Sequence, residues 1–335
     1  MTNLRTELES GLTLPRQDPF KLRSFKPYLG DSWIGNAVAY GCYRAGQAPG
    51  QKSPSDAELL EDLKIIAGHW NLIRTYGADH DTKRILQLIE TYELPIKVVQ
   101  GIWLEPEEDN PAKRKANIDQ VMLGIELAKT YPDIVIAISV ANETQVFWSA
   151  HKMNPENLIR YIRAVRNNTT VPVTTADDYL YWNKSESSQI AEEIDFVFTH
   201  IHPLWNGKTL DEAVSWTDRI YRELRVMHPD RDIVIGETGW ATDYNPEKTG
   251  PGEQGTLIKG DVGIDAQAEF LIVISRWIDE NRVVTFIFEA FDEPWKGGEG
   301  SPPNEIEKNW GVYNEDRTPK ESFLRYLDHQ HTGRE

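Results

Sequence analysis

The chain of 335 residues contains a single cysteine, Cys42, so no disulfide bond can form within it. One thiol fits a reducing compartment, and no accompanying histidine or asparagine pattern marks it as catalytic. The sequence also lacks an apolar stretch long enough for a signal peptide or a membrane span. Read as it stands, it predicts a cytoplasmic protein, and a secreted or periplasmic one if a leader has been removed.

Positive charge is also scarce, with 36 Lys and Arg against 53 Asp and Glu, a net charge of −17 and a pI near 5.0. Such a field repels phosphate backbones and anionic bilayers, so nucleic acid and membrane partners are not expected. A neutral polysaccharide is neither attracted nor repelled by this negative charge. The 11 Trp, 13 Tyr and 10 Phe could stack on sugar rings. We expect a monomer that binds a neutral glycan.

Short β-rich apolar runs alternate with segments of helical periodicity, which is typical of βα units around a parallel sheet. A doubly wound sheet is the alternative, but residues 40–44 after the first run lack the spacing of a phosphate loop. The pattern therefore predicts an α/β fold, a (β/α)8 TIM barrel, in one domain over residues 29–330, preceded by an arm over residues 1–28. The candidate strands are residues 32–40, 71–76, 96–104, 134–142, 171–176, 195–202, 232–238 and 283–290.

Helical patterns follow each candidate strand. Their starts are marked where a capping side chain precedes proline, at Ser53, Asn110, Asn154 and Thr318. Two long loops, residues 244–263 and 296–309, are expected to carry function. The predicted helices are residues 54–68, 81–92, 111–130, 155–167, 185–193, 210–227, 265–280 and 320–327.

Two glutamates stand where apolar strands run out into loops, Glu143 after residues 136–142 and Glu237 after residues 233–236. Burying a carboxylate is costly, so the pair indicates a site with one carboxyl protonated and the other ionised, as in glycosidic bond cleavage. A buried ion pair or a helix N-cap is the alternative for either residue. On a closed barrel the two can face each other, and we predict the separation of about 5–5.5 Å that gives retention, rather than the about 6.5–9.5 Å of inversion.

Other polar and aromatic residues fall at the same C-terminal rim of the strands, where barrel enzymes place their active sites. Aromatic residues in or beside the rim loops are candidate stacking platforms: Trp103, Trp148, Tyr179, Trp182, Trp205 and Trp295. The remaining rim residues are Tyr40, Arg74, Tyr76, Asn142, Asp177, His200, His202, Trp240, Glu289 and Glu293.

Several short motifs make the chain similar to glycoside hydrolase family 17, the β-1,3-glucanase and glucanosyltransferase family, over nearly its whole length. The motifs are Ala39-Tyr40 with Tyr43-Arg44, Ile73-Arg74-Thr75-Tyr76, Ala141-Asn142-Glu143, Gly236-Glu237-Thr238-Gly239-Trp240, Phe291-Asp292-Glu293-Pro294-Trp295-Lys296 and Glu305-Ile306-Glu307-Lys308-Asn309-Trp310-Gly311.

This resemblance implies a retaining β-1,3-glucan hydrolase without a cofactor or metal, with Glu237 as nucleophile and Glu143 as acid/base. Glu293, Lys296 and Glu307 match the family's auxiliary charged cluster, which we expect to form a hydrogen-bonded network beside the nucleophile and to keep the acid protonated. The residues expected to bind substrate are Tyr40, Arg74, Tyr76, Asn142, Tyr179, His202, Trp240 and Trp295.

Residues 40–49 and 200–205 depart from the plant endoglucanases of the family, so the chain looks more like its microbial branch. That departure puts a long open groove in doubt. An unexported enzyme would meet oligosaccharides instead of polymer, which favours cleavage from chain ends, with the loop over residues 244–263 as the candidate block.

Several alternatives remain open. His200 and His202 have like-facing side chains on one strand and could ligate a metal, although no second histidine pair stands at a strand end. Asp177 and Asp178 are read as a solvated turn. A β-1,3-glucanosyltransferase shares the covalent intermediate, a sister barrel could act on β-1,4 linkages, and a non-catalytic carbohydrate-binding barrel would need the aromatic residues but not both glutamates.

Overall fold

A computed structural model describes residues 2–250, 252–297 and 305–332. Eight parallel strands close into a barrel in the order β10-β3-β4-β5-β6-β7-β8-β9, so the predicted (β/α)8 TIM barrel is confirmed. A two-stranded antiparallel hairpin, β1 and β2, precedes it. The strands are β1 Tyr28–Leu29, β2 Ser32–Trp33, β3 Asn36–Ala39, β4 Leu72–Arg74, β5 Lys97–Ile102, β6 Val135–Asn142, β7 Val173–Asp178, β8 Phe196–His200, β9 Asp232–Thr238 and β10 Thr285–Ile287.

Helices follow the barrel strands and cover the outside of the sheet, where a large cluster of buried apolar side chains joins the two layers. Short 3₁₀ turns cover Ser185–Ser187 and Glu305–Lys308. The α-helices are α1 Thr2–Glu9, α2 Asp56–Ala67, α3 His80–Thr91, α4 Pro111–Thr130, α5 Pro155–Asn168, α6 Tyr179–Trp182, α7 Ser188–Ala191, α8 Leu210–Met227, α9 Gln254–Leu257, α10 Ile264–Asn281 and α11 Glu321–Thr332.

Two of the four predicted helix caps are confirmed. Asn110 and Asn154 each accept a backbone N–H of the first turn, ahead of proline at the first helical position. The prediction for Ser53 is wrong, because Ser55 caps α2 through a reciprocal capping box with Glu58. Thr318 is also wrong as a cap, since α11 begins at Glu321 and the Thr318 hydroxyl bonds to Asp316.

Three predicted boundaries are also corrected. The first predicted strand, residues 32–40, is divided between β2 and β3. The break includes Gly35, whose backbone lies so close to the Trp33 ring that a Cβ there would be 2.2 Å from it. The predicted helix over residues 185–193 is a 3₁₀ turn followed by the four-residue α7. Strand β7 continues past residue 176 to Asp178, which changes how the two aspartates are used.

The inside of the barrel holds its own apolar cluster, which includes Leu72, Val99, Phe196, Phe198 and Phe286. Inward-facing side chains of alternate strands fill a barrel of this size, so it forms a packed core and not a pore. The rim at the carboxyl ends of the strands therefore rests on packed apolar side chains.

The N-terminal arm closes the opposite end of the barrel. Phe25 and Leu29 pack against the interior cluster, and the Phe25 ring stacks on Phe196 with centroids 4.7 Å apart. The Arg23 backbone N–H donates to Asp195 at 2.7 Å, and Arg166 forms a buried ion pair with the same carboxylate. The arm is thus fixed to the bottom of the barrel by stacking and charge.

The long loop over residues 244–263 contains α9, so it is partly structured. Residues 298–304 of the other long loop lie outside the described residues. Among the residues that are described, no helix combines the length and apolar character needed to cross a bilayer.

Replacing Phe25 by alanine is expected to lower the free energy of unfolding by about 2 kcal/mol, because it removes a half-buried ring stacked on the barrel floor. The matched control is Leu22→Ala in the same arm, where the side chain is 50% exposed and little should change. Denaturant unfolding followed by tryptophan fluorescence measures both. Equal effects of the two variants would contradict the closing role of Phe25.

Candidate active site

Glu143 stands on an irregular strand end. Ala141 and Glu143 have positive φ values of 69° and 50°, and the pairing of β6 with β7 shifts register between Ser139 and Asn142. A positive φ is uncommon outside glycine, so this strand end is shaped specifically. It turns the Glu143 side chain to the barrel mouth, where 21% of it is exposed.

Asp177 holds the loop that follows Glu143. Its carboxylate accepts the backbone N–H groups of Gln145 at 2.8 Å and Val146 at 3.1 Å. The prediction of a solvated turn at Asp177 and Asp178 is therefore wrong, because both residues are buried in the last two positions of β7. The strand is longer than its apolar run because backbone donors satisfy these carboxylates.

Asp178 was missed as a site residue. Ala176 belongs to the barrel interior, and side chains alternate along a strand, so Asp178 faces the mouth. Its carboxyl accepts the Leu180 N–H at 2.7 Å. Burial raises the pKa of Asp178 to about 7, with help from the nearby charges of Glu143 and Glu237. The predicted strand ended at residue 176. If it had been extended by two residues, the alternation of side chains along a strand would have placed Asp178 at the mouth.

Glu237 is buried in the mouth and surrounded by donors. Tyr76 donates its hydroxyl to Oε1 at 2.8 Å, Arg74 lies 3.2 Å from the same oxygen, and His202 Nε2 lies 3.2 Å from Oε2. Burial alone would raise the pKa of Glu237, but His200, His202 and Arg74 outweigh it and lower the pKa below its ordinary value. Glu237 is therefore an ionised carboxylate.

His200 links the two glutamates, and its contacts fix its tautomer. Its Nε2 lies 2.8 Å from Nη1 of Arg74, and a guanidinium can only donate, so Nε2 is the acceptor. The ring hydrogen is then on Nδ1, which donates to Oε1 of Glu143 at 2.7 Å. One oxygen of Glu143 is thereby held, and the other stays available in the mouth.

The two glutamates lie close together. One oxygen of each, and one ring nitrogen of His200, are all within 4.8 Å of one another. This proximity supports the shorter spacing expected of a retaining pair. Neither residue is the N-cap of the next helix, since Asn154 caps α5 after Glu143, and Glu253 stands at the N-cap of α9 after Glu237.

The same three groups could geometrically ligate a cation. Both ring nitrogens of His200 are already engaged, however, and Arg74 brings a positive charge against Glu237. The rings of His200 and His202 lie 6.5 Å apart between centroids, and each has one nitrogen near Oε2 of Glu237, at 3.5 Å and 3.2 Å. These contacts favour an ion-pair and hydrogen-bond network over the metal alternative.

A second charged group lies at the end of β10. Lys296 Nζ lies 2.6 Å from Glu289 and 2.7 Å from Glu293, so the auxiliary residues Glu293 and Lys296 do meet. Glu307 is half-buried, and burial raises its pKa while Lys296 opposes the shift. Trp295, 39% exposed, donates its indole N–H to Glu293 at 2.9 Å.

Glu289 was noted at the rim but given no role. It is fully buried, and its Oε1 has no hydrogen-bond partner among the residues that the structure describes. Burial and the neighbouring Glu293 raise the pKa of Glu289, whereas Lys296 and the Trp295 indole lower that of Glu293 despite its burial. The single Lys296 ammonium lies between the two carboxyls, and the pKa of Glu289 is the one that burial raises. The sequence did contain a signal for this buried carboxyl, because Glu289 is the only charged residue in the apolar run 286–291.

Four expected substrate-binding residues, Arg74, Tyr76, Asn142 and His202, are brought together around Glu237. Arg74 Nη2 donates to Oδ1 of Asn142 at 2.8 Å, which leaves the Asn142 amide N–H groups as donors for a ligand. Their role in binding stays a prediction.

Other expectations fail because the side chains belong to the core. Tyr40 is 2% exposed and donates to Asp62, and Trp240 is 1% exposed and packs on Phe270, so neither can bind a sugar. Trp182 is fully buried and is not a stacking platform. Tyr179 packs edge-on against Trp216, with little surface free.

Comparison with known proteins places this site in a family. Residues 37–311 match the model of the BtgE/BtgC glycoside hydrolase domain. A protein of Aspergillus niger, named as a glucan endo-1,3-beta-glucosidase, is 30% identical over 289 residues. The match covers 81% of this chain and 40% of that protein, so the chain spans about two fifths of the length of this relative.

Solved structures show the same fold. An endo-laminarinase from Formosa superposes with a TM-score of 0.75 at 23% identity, covering 89% of this chain and 88% of that one. A glycoside hydrolase family 17 β-1,3-glucanosyltransferase from Rhizomucor miehei has a TM-score of 0.66 at 19% identity, covering 85% and 95%. The resemblance inferred from the motifs is confirmed.

Glu289→Gln is expected to become more stable than the wild type as the pH rises. A carboxyl with a raised folded-state pKa binds a proton on folding, so the wild type loses up to about 1.4 kcal/mol per pH unit above about pH 4.3, the ordinary value for glutamate. Glutamine cannot titrate, so the variant should match the wild type near pH 4 and exceed it toward pH 7. Denaturant unfolding over this range measures the difference.

The matched control is Glu293→Gln, which removes the ionised partner of buried Lys296. It is expected to cost up to about 3 kcal/mol at neutral pH. Equal losses in both variants would show that the proton does not reside on Glu289.

Proposed function

The chain belongs to the BtgE/BtgC glycoside hydrolase domain family, and from this premise we propose that it hydrolyses β-1,3-glucosidic bonds of laminarin-type glucan or its oligosaccharides with retention of configuration. The observation that carries the proposal is an ionised Glu237 with a carboxylate oxygen within 4.8 Å of an oxygen of the partly exposed Glu143. The names of the relatives, a glucan endo-1,3-beta-glucosidase and an endo-laminarinase, support the linkage.

In the first step, Glu237 attacks the anomeric carbon of the bound sugar while Glu143 protonates the departing oxygen. His200 donates to one oxygen of Glu143, so the proton is delivered from the other. Once Glu143 has lost its proton, the Nδ1–H of His200 stabilises the resulting carboxylate. The products are a glycosyl ester on Glu237 and a free leaving group.

In the second step, Glu143 removes a proton from water, whose oxygen attacks the same anomeric carbon and breaks the ester bond to Glu237. Tyr76, Arg74 and His202 stabilise the carboxylate that departs. Two inversions give net retention. The strongly negative chain suits a neutral glucan as substrate.

Glu237→Ala is expected to lose hydrolysis of laminarin by at least about a thousandfold, because the covalent partner is gone. Azide can enter the space of the missing carboxylate, so the variant should convert an activated β-glucoside into the α-glycosyl azide. Glu143→Ala keeps the nucleophile and should yield the β-glycosyl azide. Product configuration is read by NMR.

These assays also separate the alternatives. A wild type that binds laminarin without releasing reducing ends would be a non-catalytic barrel, and preference for cellulose or mannan would indicate a β-1,4 enzyme. Identical azide configurations from the two variants would overturn the assigned roles.

Tyr76→Phe is expected to move the acidic limb of the kcat/KM profile up by about one pH unit. The nucleophile must be ionised, and the Tyr76 hydroxyl stabilises its carboxylate, so removing that donor raises the pKa of Glu237. Tyr179→Phe, which loses a hydroxyl bonded to Asn206 instead, is the control and should leave the limb in place. If the acidic limb of the kcat/KM profile stays in place in Tyr76→Phe, the Tyr76 hydroxyl does not stabilise the Glu237 carboxylate.

A further inference from the structure

Phe147 and Trp148 form an exposed aromatic pair on the loop that begins at Glu143. Their side chains are 72% and 48% exposed. Two adjacent large aromatic side chains left in water, four and five residues from a catalytic acid, are unusual on a protein that packs most of its other rings. We refer to this pair as the aromatic tip.

The loop that carries the aromatic tip is held in place at its base. The Met153 N–H donates to the Thr144 carbonyl at 2.9 Å, and His151 Nε2 lies 3.0 Å from the Asn142 carbonyl. The His151 ring packs on Trp103 with centroids 5.2 Å apart. Together with the two backbone donors to Asp177, these contacts fix the loop, and a fixed loop binds a ligand at a lower entropic cost.

The aromatic tip and Trp295 lie on opposite sides of the barrel mouth. The tip follows β6 and Trp295 follows β10, and these strands are four positions apart in a closed ring of eight. Trp295 is also partly exposed, at 39%. Flat apolar surfaces therefore stand on both sides of the catalytic pair.

We propose that the aromatic tip binds the glucosyl units on the leaving-group side of the scissile bond and, after the first step, the sugar that accepts the glycosyl group. The inference rests on the proposed function. Glu143 protonates the leaving oxygen, so the leaving group departs on the side of Glu143, from which the tip extends. The ligand class is a neutral β-1,3-linked oligosaccharide, which can stack through its ring faces.

Transfer to such an acceptor balances without another reactant. An acceptor hydroxyl gives its proton to Glu143, its oxygen bonds to the anomeric carbon, and the ester bond to Glu237 breaks. A platform on this side retains a sugar where water would otherwise attack. It also accommodates a chain that extends past the cleavage point on the leaving-group side.

The test compares Phe147→Ala and Trp148→Ala on two substrates, laminarihexaose and 4-nitrophenyl β-laminaribioside, whose leaving group carries no sugar. We expect kcat/KM on the hexaose to fall at least about tenfold in each variant and to change less than about twofold on the nitrophenyl substrate. The fraction of transfer product formed with added laminaritriose should fall in parallel. Trp148→Phe, which keeps a ring, should restore most of the loss.

Tyr92→Ala is the matched control, because Tyr92 is 50% exposed and follows α3 at the opposite end of the barrel. It should alter neither substrate. Equal losses on both substrates, or no loss on the hexaose, would overturn the assignment of the aromatic tip. A wild type inactive on both substrates would instead refute the proposed function, so the two failures are distinguishable.

Discussion

The site depends on keeping the Glu237 carboxylate ionised while it is almost entirely removed from water. An isolated buried carboxylate would take up a proton, so every group around it must donate. Arg74 is the centre of this arrangement, because it contacts Glu237, His200, Asn142 and the Gly236 carbonyl at once. Its guanidinium therefore orders the nucleophile, the histidine and the amide beside the acid.

Placing an arginine inside a barrel imposes requirements on its neighbours. The Arg74 guanidinium lies between the rings of Tyr76 and Phe198, 4.6 and 4.7 Å from their centroids, which offsets part of its desolvation. Gly236, just before the nucleophile, leaves room for it, since a Cβ there would lie 2.9 Å from Nη1. The glycine of the Gly-Glu-Thr-Gly-Trp motif is thus a packing requirement of the charge network.

Gly239 of the same motif and Gly41, which follows Tyr40, are also required by close packing. A Cβ on Gly239 would lie 2.0 Å from the Phe288 carbonyl oxygen, and a Cβ on Gly41 would lie 2.2 Å from a carboxylate oxygen of Glu293. Both positions bring the end of β10 against neighbouring strand ends. The cluster around Lys296 is therefore built on close backbone approach, and the rim acquires a second, neutralised group of carboxyls beside the nucleophile.

The sequence by itself determined the barrel and the placement of Glu143 and Glu237, because period and strand-end position are local properties of the chain. It also supplied Arg74, Tyr76 and His202, which lie on strand ends at the same rim. Only the tertiary structure decided that Tyr40, Trp182 and Trp240 belong to the core. An aromatic side chain near a strand end can point into the binding site or pack against a neighbouring helix, and the choice depends on contacts with distant parts of the chain. The tautomer of His200 likewise depends on Arg74 and Glu143, which are distant in the chain, and the raised pKa of Glu289 depends on burial that only the folded barrel provides.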